Sequence, residues 1–227
     1  MKKQIVFTKK TPEEIMRSNK NGILNFQNLY SIYLFNHEPI FQKAITSPNN
    51  FIFPDGKTIS LFLRIKQIRG PSFTKNFFEK KLSNNQKHFF IGPSERDLKI
   101  LIKKFPKLKN SQTHNPPYIK EIIFPKKEEK TILNKLKKIK PKYIWICIGN
   151  PKQEILANQL YKKYPTFYFT VGAAMDFLLE KKKESPTIFR RLGVEWAYRL
   201  ITDFKYSWKK VWKSFVALKY LKQIKKI

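Results

Sequence analysis

The fold is decided by the stretch Tyr143-Ile144-Trp145-Ile146-Cys147-Ile148-Gly149-Asn150-Pro151-Lys152-Gln153-Glu154. Its apolar and aromatic first half, which ends at Gly149, predicts a strand that is buried on both faces. The spacing then becomes helical. Asn150 is a suitable N-cap, Pro151 suits the first helical position, and Gln153 lies where a capping-box partner belongs.

A buried strand that leads directly into a helix is the repeating unit of an open α/β sheet. It points backbone N–H groups at the carboxyl edge of the sheet, where ligands bind and where helix N-termini favour anionic groups such as a nucleotide diphosphate. The same residues are also sufficient to start a helix with no ligand present. Spacing alone therefore leaves both interpretations open.

Apolar runs alternate with helical patterns through most of the chain. Strands are predicted at residues 4–8, 22–29, 51–53, 88–91 and 167–170, and helices at residues 39–45, 57–66, 95–105 and 128–140. This alternation predicts an α/β fold with a Rossmann-like, mostly parallel sheet that is flanked by helices. No strand is predicted beyond Ser185-Pro186.

The C-terminal tract differs from the rest of the chain, and we expect a domain at residues 1–190 followed by a C-terminal basic amphipathic helical appendage at residues 191–227. Apolar side chains recur there every three or four residues, at Trp196, Leu200, Phe204, Trp208, Val211, Phe215 and Leu218. Lysines fall largely between them. This pattern is typical of a helix at a membrane interface. The alternative is a helix that packs on its own domain or on a partner subunit.

The composition predicts a folded chain with a strongly basic surface. At 227 residues, 41% of them hydrophobic, the chain is long enough for one substantial core. Its 47 Lys and Arg residues against 16 Asp and Glu residues give a formal net charge of +31. Such a surface favours anionic lipid or phosphate-bearing partners. Most of the excess is lysine rather than the arginine that nucleic-acid grooves usually need, so nucleic acid is not the expected partner.

Cys147 is the only cysteine, so a disulfide within the chain is excluded. It lies in the apolar stretch, where packing explains it better than reactivity. The first residues lack the apolar segment of a signal peptide, and no run approaches the ~20 apolar residues that cross a bilayer. We therefore expect a cytoplasmic protein that is associated only peripherally with the inner face of the cell membrane.

No nucleophile, metal site or cofactor site is supported by residue spacing. The histidines are scattered without a Cys/His/Asp cluster, and no Gly-rich phosphate loop is present. Asp55, between a predicted strand and Gly56, either acts as a general base at the sheet edge or forms a turn that caps the next helix. For Asp176, helix capping or a buried hydrogen bond is favoured over catalysis.

Seven segments of the chain are specific when they are taken together and in order: Pro54-Asp55-Gly56, Arg69-Gly70, Phe90-Ile91-Gly92, Pro116-Pro117, Gly149-Asn150-Pro151-Lys152-Gln153-Glu154, Val171-Gly172-Ala173-Ala174-Met175-Asp176-Phe177 and Leu192-Gly193-Val194-Glu195-Trp196-Ala197-Tyr198-Arg199-Leu200. Across roughly residues 20–210 the chain resembles the WecG/TagA/CpsF glycosyltransferases, glycosyltransferase family 26. That family includes N-acetylmannosaminyltransferases of teichoic-acid and enterobacterial-common-antigen assembly.

The resemblance implies an inverting, metal-independent transfer of a hexosamine-type sugar from a UDP-sugar to a polyprenyl-diphosphate-linked sugar in cell-surface polysaccharide biosynthesis. It makes residues 1–190 the catalytic domain and residues 191–227 the part that docks on an anionic membrane surface. Asp55 is the implied base for the acceptor hydroxyl. Backbone N–H groups and cationic side chains must then meet the charge on the leaving UDP. The implied substrate-binding residues are Arg69, Gly149, Asn150, Pro151, Gln153, Glu154, Gly172, Asp176 and Arg199.

Departures from the family pattern leave the sugar and the acceptor open. The usual Thr-x-Asn of the second strand is Ile23-Leu24-Asn25, so only Asn25 carries over as a substrate-binding residue. Lys205 and Lys209 stand where arginines are expected, and lysine keeps the charge without the fork. The usual Arg-Ala-Pro is Glu184-Ser185-Pro186. Two alternatives therefore stay open, a weakened family member that serves as a scaffold and a basic nucleic-acid-binding protein, and a homo-oligomer is also left open.

Overall fold

The computed structural model describes residues 4–80 and 86–227. Its strands are β1 (Ile5–Phe7), β2 (Gly22–Gln27), β3 (Asn50–Pro54), β4 (His88–Ile91), β5 (Gln112–His114), β6 (Tyr143–Ile146), β7 (Phe167–Thr170) and β8 (Ile224–Lys226). Its α-helices are α1 (Pro12–Ser18), α2 (Leu29–His37), α3 (Pro39–Ile45), α4 (Lys57–Leu63), α5 (Gly70–Glu79), α6 (Glu95–Lys104), α7 (Lys126–Ile139), α8 (Lys152–Tyr161), α9 (Ala174–Leu178), α10 (Thr187–Leu192), α11 (Glu195–Thr202) and α12 (Phe204–Ala217).

The main sheet has six strands in the order β3-β2-β7-β6-β4-β5, and every neighbouring pair is parallel. Helices flank it on both faces, so the predicted Rossmann-like α/β fold is confirmed. Because all six strands run the same way, their carboxyl ends meet at one edge. The loops that follow these ends are the part of the fold that positions a site.

Alternate residues of the central strand β6 build two separate cores. Tyr143 and Trp145 pack into an aromatic cluster on one face of the sheet, whereas Ile144 and Ile146 pack into an aliphatic cluster on the other. All four side chains are buried. The prediction that this strand is buried on both faces is therefore confirmed, and Cys147 packs against the aromatic cluster, as expected.

The direction of the chain connections reverses between β4 and β6. From β4 the chain moves outward to β5, whereas from β6 it moves the other way to β7. The following helices accordingly pack on opposite faces: Leu98 of α6 lies in the aromatic cluster and Leu156 of α8 in the aliphatic one. In open α/β sheets such a topological switch opens a crevice at the carboxyl ends of the two strands.

The first and last strands form a second, two-stranded parallel sheet of β1 and β8. The strand predicted at residues 4–8 is confirmed, but the prediction of no strand beyond Ser185-Pro186 is wrong. β8 has the sequence Ile-Lys-Lys, which is too short and too charged to show a strand pattern. It forms because Ile224 is buried beside Ile5 and Phe7 in a third apolar cluster.

Helix α8 begins one residue later than the sequence predicts. Its N-cap is Pro151, which makes no side-chain capping hydrogen bond, and the Asn150–Pro151 peptide bond is cis. The side chain of Asn150 instead donates to Ser31 Oγ at 2.9 Å and to Gln27 Oε1 at 3.3 Å. The predicted capping role of Asn150 is therefore wrong, because partners distant in the sequence take up its amide.

Some apolar side chains of the C-terminal tract pack on the rest of the protein, and others face solvent. Val211 and Ala217 of α12 are buried, and the Lys213 Nζ atom lies 5.1 Å from the centre of the Tyr33 ring on α2. Outward-facing apolar side chains remain exposed along α10 to α12, namely Ile188, Leu192, Trp196, Ile201, Phe204, Trp208, Trp212 and Phe215. Over the described ranges, no helix combines the length and apolar character that spanning a bilayer requires.

Candidate active site

Gln27, at the carboxyl end of β2, links two of the predicted site residues. Its backbone oxygen accepts a hydrogen bond from the Asp55 N–H at 2.9 Å. Its side-chain Nε2 donates to Glu154 Oε1 at 3.0 Å. Asp55 follows β3, and Glu154 lies in the first turn of α8, next to Gln153. The structure therefore brings the predicted base and the predicted Gly149–Glu154 turn to the same sheet edge.

The side chain of Asp55 holds the start of α5. Its Oδ1 accepts a hydrogen bond from the N–H of Gly70 at 2.8 Å, and its backbone oxygen accepts one from Gln67 Nε2 at 2.6 Å. Helix α4, which directly follows Asp55, has Gly56 as its N-cap and no side-chain capping bond. The alternative in which Asp55 caps the next helix is therefore wrong, because its carboxylate reaches the helix after it.

Charged groups surround the Asp55 carboxyl group. Burial raises the pKa of Asp55, and the Gly70 N–H, Arg69 and Arg199 oppose that rise, while Glu195 adds to it. Arg69, one of the cations that act on Asp55, also pairs with Glu195, with Nη2 3.3 Å from Oε2. A carboxylate with a raised pKa can accept a proton, and the adjacent cations can balance negative charge that develops during a reaction.

Arg199 reaches this cluster from α11. Its guanidinium carbon lies 5.2 Å from the centre of the Phe177 ring, an arrangement in which the cation is held over an aromatic face. Asp176, next to Phe177, pairs with Lys182 at 3.5 Å and lies in the first turn of α9. The predicted helix cap or buried hydrogen bond of Asp176 is therefore wrong, because its partly exposed carboxylate forms an ion pair beside the cluster and the N-cap of α9 is Ala173.

Three of the predicted residues lie apart from the cluster. Asn25 is fully buried inside β2, where it accepts a hydrogen bond from Thr170 Oγ1 and donates one to Asn50 Oδ1, both at 2.9 Å. Lys205 and Lys209 are exposed on α12. The structure thus places Asn25 beneath the sheet edge and the two lysines on the exposed face of the C-terminal tract.

A buried hydrogen-bond network fills the turn between β6 and α8. Gln153 Nε2 donates to Asn150 Oδ1 at 2.8 Å and to Glu154 Oε1 at 2.9 Å, and it lies 3.4 Å from the backbone oxygen of Thr170. Glu154 is fully buried, and desolvation raises its pKa to about 7, against the lowering effect of the amide donors Gln153 and Gln27. This carboxyl group therefore holds its proton up to about neutral pH.

We expect Glu154→Gln to remove a loss of stability that the native chain shows as the pH rises. Unfolded, Glu154 ionises near the ordinary pKa of 4.5, whereas in the folded chain it ionises near pH 7. Between these values the folded state binds more protons, so the free energy of unfolding falls as pH increases, by on the order of 3 kcal/mol in total. Thermal unfolding at pH 5 and pH 8 measures this: the native Tm should fall several degrees further than that of the variant. An equal fall in Tm between pH 5 and pH 8 in the native chain and the variant would contradict a protonated Glu154.

The turns that follow β6 and β7 depend on glycine. Gly149 has φ +83° and Gly172 has φ +53°, in the left-handed region that other residues rarely adopt. A Cβ on Gly172 would lie 3.5 Å from Gln153 Oε1. The Gln153 N–H bonds to Gly149 O at 3.1 Å, so one of the amides that the sequence leaves free at this helix N-terminus is already used within the turn.

A cavity of about 280 Å³ lies at the carboxyl ends of β4 and β6, where the topological switch predicts a crevice. Its wall includes Gly92 after β4, Cys147 after β6 and Lys152 at the start of α8. Tyr118, which is 92% exposed, also lines it, and Lys152 Nζ lies 5.4 Å from the centre of the Tyr118 ring. The cavity therefore offers an aromatic face and a cation to a ligand.

A second cavity, of about 380 Å³, lies between α5, α9 and α10. Lys75, Lys104 and Arg190 line it together with Glu184. It adjoins the Asp55 cluster through Arg69, whose Nη1 donates to Ser72 Oγ at 3.4 Å. Each of its three cations pairs with a carboxylate: Lys75 with Glu79 at 3.9 Å, Lys104 with Glu180 at 2.7 Å, and Arg190 with Glu184.

Sequence reasoning missed several residues that build the site. Gln27 and Ser31 organise the buried amide network, and Glu195 pairs with Arg69. A polar residue at the end of an apolar strand is a usable signal for Gln27, and the specific segment at residues 192–200 is one for Glu195, whereas nothing local to Ser31 marks it. In the portion of the chain that the structure describes, no group of three or more His, Cys, Asp and Glu side chains could hold a metal ion.

Comparison with known proteins gives a family match over nearly the whole chain. Residues 6–226 match the family described as "Glycosyl transferase WecG/TagA/CpsF family". A protein of Staphylococcus aureus strain NCTC 8325 / PS 47, named N-acetylglucosaminyldiphosphoundecaprenol N-acetyl-beta-D-mannosaminyltransferase, is 31% identical over 127 residues. A protein of the same name from strain MRSA252 is 32% identical over 130 residues. Each match covers 54% of this chain and 47% of the relative, so it spans about half of the relatives' length.

Proposed function

Because this chain belongs to the WecG/TagA/CpsF family of glycosyl transferases, we propose that it transfers an N-acetylmannosamine-like sugar from UDP to a polyprenyl-diphosphate-linked sugar. The relatives' names supply the sugar and the type of acceptor. The observation that carries the proposal is the line of groups along one sheet edge. Asp55 follows β3, Gly172 follows β7, Gln153 follows β6, and the cavity opens between β6 and β4.

This line has the length that a nucleotide and its diphosphate need. Neighbouring strands are ~4.8 Å apart, so the ends of β3 and β6 are separated by roughly 14 Å. We place the nucleotide in the cavity by Tyr118 and the anomeric carbon near Asp55. The diphosphate then lies between them, and the sugar ring folds back from its anomeric carbon over the Gly172 turn. This placement follows the general rule that nucleotides bind at a topological switch point.

In the proposed reaction the Asp55 carboxylate removes the proton of the acceptor hydroxyl, and the hydroxyl oxygen attacks the anomeric carbon. The bond from that carbon to UDP breaks, and the electron pair leaves with the diphosphate. Attack from the face opposite the leaving group inverts the configuration. Arg69 and Arg199, which both act on the Asp55 carboxyl group, supply positive charge for the diphosphates without a metal ion.

Aromatic stacking on Tyr118 is the testable part of the nucleotide placement. We expect Tyr118→Ala to weaken UDP binding roughly tenfold, because base–aromatic stacking contributes ~1–3 kcal/mol. Isothermal titration calorimetry with UDP measures the change. Phe62→Ala is the matched control, since Phe62 is an exposed aromatic residue on α4, away from the cavity. Equal UDP affinity in the native chain and Tyr118→Ala would move the nucleotide out of this cavity.

We further propose that the exposed apolar side chains of α10 to α12 dock on an anionic membrane surface. Trp212 is 66% exposed and Phe204 is 65% exposed, and the chain carries a formal net charge of +31. Aromatic side chains beside lysines suit the lipid headgroup region. Helix α11 also carries Arg199, so docking through this tract would bring a membrane-embedded acceptor to the Asp55 cluster.

The proposed function is tested by incubating the protein with a panel of UDP-sugars and a polyprenyl-diphosphate-sugar analogue, followed by mass spectrometry of the lipid product. We expect the acceptor to gain the mass of one N-acetylhexosamine residue, with and without EDTA. No mass gain with any UDP-sugar would reject the transferase activity and favour a scaffold role. Loss of the product on EDTA treatment would reject only the metal-independent mechanism.

A further inference from the structure

Two buried atoms in the active-site network, Gln153 Oε1 and Glu154 Oε2, lack a hydrogen-bond partner among the described residues, and only the first adjoins a glycine turn. Gln153 is 2% exposed, and its side-chain oxygen Oε1 has no hydrogen-bond partner among the described residues. A buried polar atom without a partner is costly, so such atoms in folded proteins call for an explanation. The Gly172 turn adjoins Gln153 Oε1, since a Cβ on Gly172 would lie 3.5 Å from this oxygen.

The orientation of the Gln153 amide is set by its neighbours. Asn150 Oδ1, Glu154 Oε1 and the backbone oxygen of Thr170 all surround Nε2. Three acceptors on that side require the NH₂ group there, and the carbonyl oxygen must point away from them. Glu154 is in turn fixed by Gln27, whose Nε2 donates to the same Oε1 at 3.0 Å.

We propose that Glu154 is a positioning residue: it holds the Gln153 amide so that Gln153 Oε1 faces the Gly172 turn and accepts a hydrogen bond from an N–H or O–H group of the donor sugar. This inference rests on the proposed function, which places the sugar over Gly172. Glycine at this position leaves open the space that a side chain would fill. Glu154 is itself fully buried, so it acts through Gln153 and does not touch the substrate.

The raised pKa of Glu154 suits this arrangement. A protonated carboxyl group places no negative charge behind the diphosphate, while its Oε1 still accepts both amide hydrogen bonds. Glutamine keeps that acceptor and has nearly the same shape. Leucine has a similar volume but leaves the Gln153 and Gln27 amides without their shared partner.

The test compares the dissociation constants of UDP and UDP-N-acetylmannosamine for the native chain, Glu154→Leu and Glu154→Gln. We expect Glu154→Leu to weaken UDP-N-acetylmannosamine binding about fivefold to tenfold with UDP binding within twofold of native. Glu154→Gln should restore the native ratio. UDP-mannose and UDP-2-deoxyglucose, which lack the acetamido group, identify the sugar group that donates the hydrogen bond. If only UDP-N-acetylmannosamine loses affinity, the donor is the acetamido N–H. If all three lose affinity equally, the donor is a hydroxyl of the sugar ring.

Gln153→Leu keeps the inference testable even where Glu154→Leu folds poorly. It removes the carbonyl oxygen itself and should show the same selective loss, and the double variant should lose no more than either single one. An unchanged ratio in Gln153→Leu, or additive losses in the double variant, would overturn the positioning role. Failure of the native chain to bind any UDP-sugar would instead reject the proposed function.

Discussion

Asp55→Asn is expected to reduce sugar transfer by roughly a thousandfold, while UDP binding stays within twofold of native. A positioned general base contributes about 10²–10⁴ to a rate, and asparagine cannot take the acceptor's proton. In the native chain Asp55 Oδ1 accepts a hydrogen bond from the Gly70 N–H at 2.8 Å. Asparagine keeps a side-chain oxygen that can accept this bond, so the substitution should preserve the local structure. Product formation is measured by mass spectrometry and UDP binding by calorimetry.

The pH dependence gives a second measurement of the same role. Burial raises the pKa of Asp55 above its ordinary value of 3.8, and only the ionised form can act as the base. Transfer should therefore fall as the pH is lowered through that raised pKa, and the residual activity of Asp55→Asn should lack this limb. Glu79→Gln, which removes an exposed carboxylate at the far end of α5, is the matched control. Native-like turnover in Asp55→Asn would remove Asp55 from the base role.

The sequence predicts the sheet well because its strands are short apolar runs bounded by turn residues. Phe167–Thr170 and His88–Ile91 were predicted with their observed bounds, as was helix α3. Parallel strands are buried on both faces, so each one must be apolar throughout. The strand order cannot be read in the same way, because β2 pairs with β7, which lies more than a hundred residues later in the chain.

Errors occur where tertiary contacts override a local pattern. Asn150 has every local feature of an N-cap, but Ser31 and Gln27, more than a hundred positions away, take up its side chain. β8 has no strand pattern and forms because β1 offers a partner and the third apolar cluster buries Ile224. In both cases the deciding partner lies outside any local window.

In the candidate site, too, some residues are predictable from the sequence and others are placed only by tertiary contacts. Asp55 and Gln153 follow from their places at strand ends and from the family resemblance. The support behind them does not, because Gln27, Glu195 and Gly70 are brought there only by the fold. The role of Gln27 becomes clear only when its hydrogen bonds to Asp55 and Glu154 are known.

The C-terminal tract provides the second large expected effect. The double variant Trp208→Ser/Trp212→Ser should weaken binding to anionic liposomes by two orders of magnitude or more. These residues are one helical turn apart on α12 and are 44% and 66% exposed. Partial burial of each indole in the headgroup region contributes roughly 2 kcal/mol at ~25 cal/mol per Å², and two such losses together exceed a hundredfold.

Point substitutions test this surface better than truncation. Removing residues 196–227 would also remove β8, which pairs with β1, and Ala217, which is fully buried. A truncated chain would therefore lose part of its core along with its exposed tryptophans. Serine at positions 208 and 212 leaves the inward face of α12 intact, so Val211 continues to pack.

Cosedimentation with liposomes that contain or lack anionic lipid gives the measurement. The double variant Ile100→Ser/Ile123→Ser is the matched control, because each isoleucine is 43% exposed outside the C-terminal tract. Lys205→Glu/Lys209→Glu should weaken binding to anionic liposomes and leave binding to neutral ones unchanged, since these exposed lysines contribute charge and little apolar area. If the tryptophan variant sediments like the native chain while the isoleucine variant does not, the membrane contact lies outside the C-terminal tract. The acceptor would then have to reach Asp55 from a direction that does not pass Arg199.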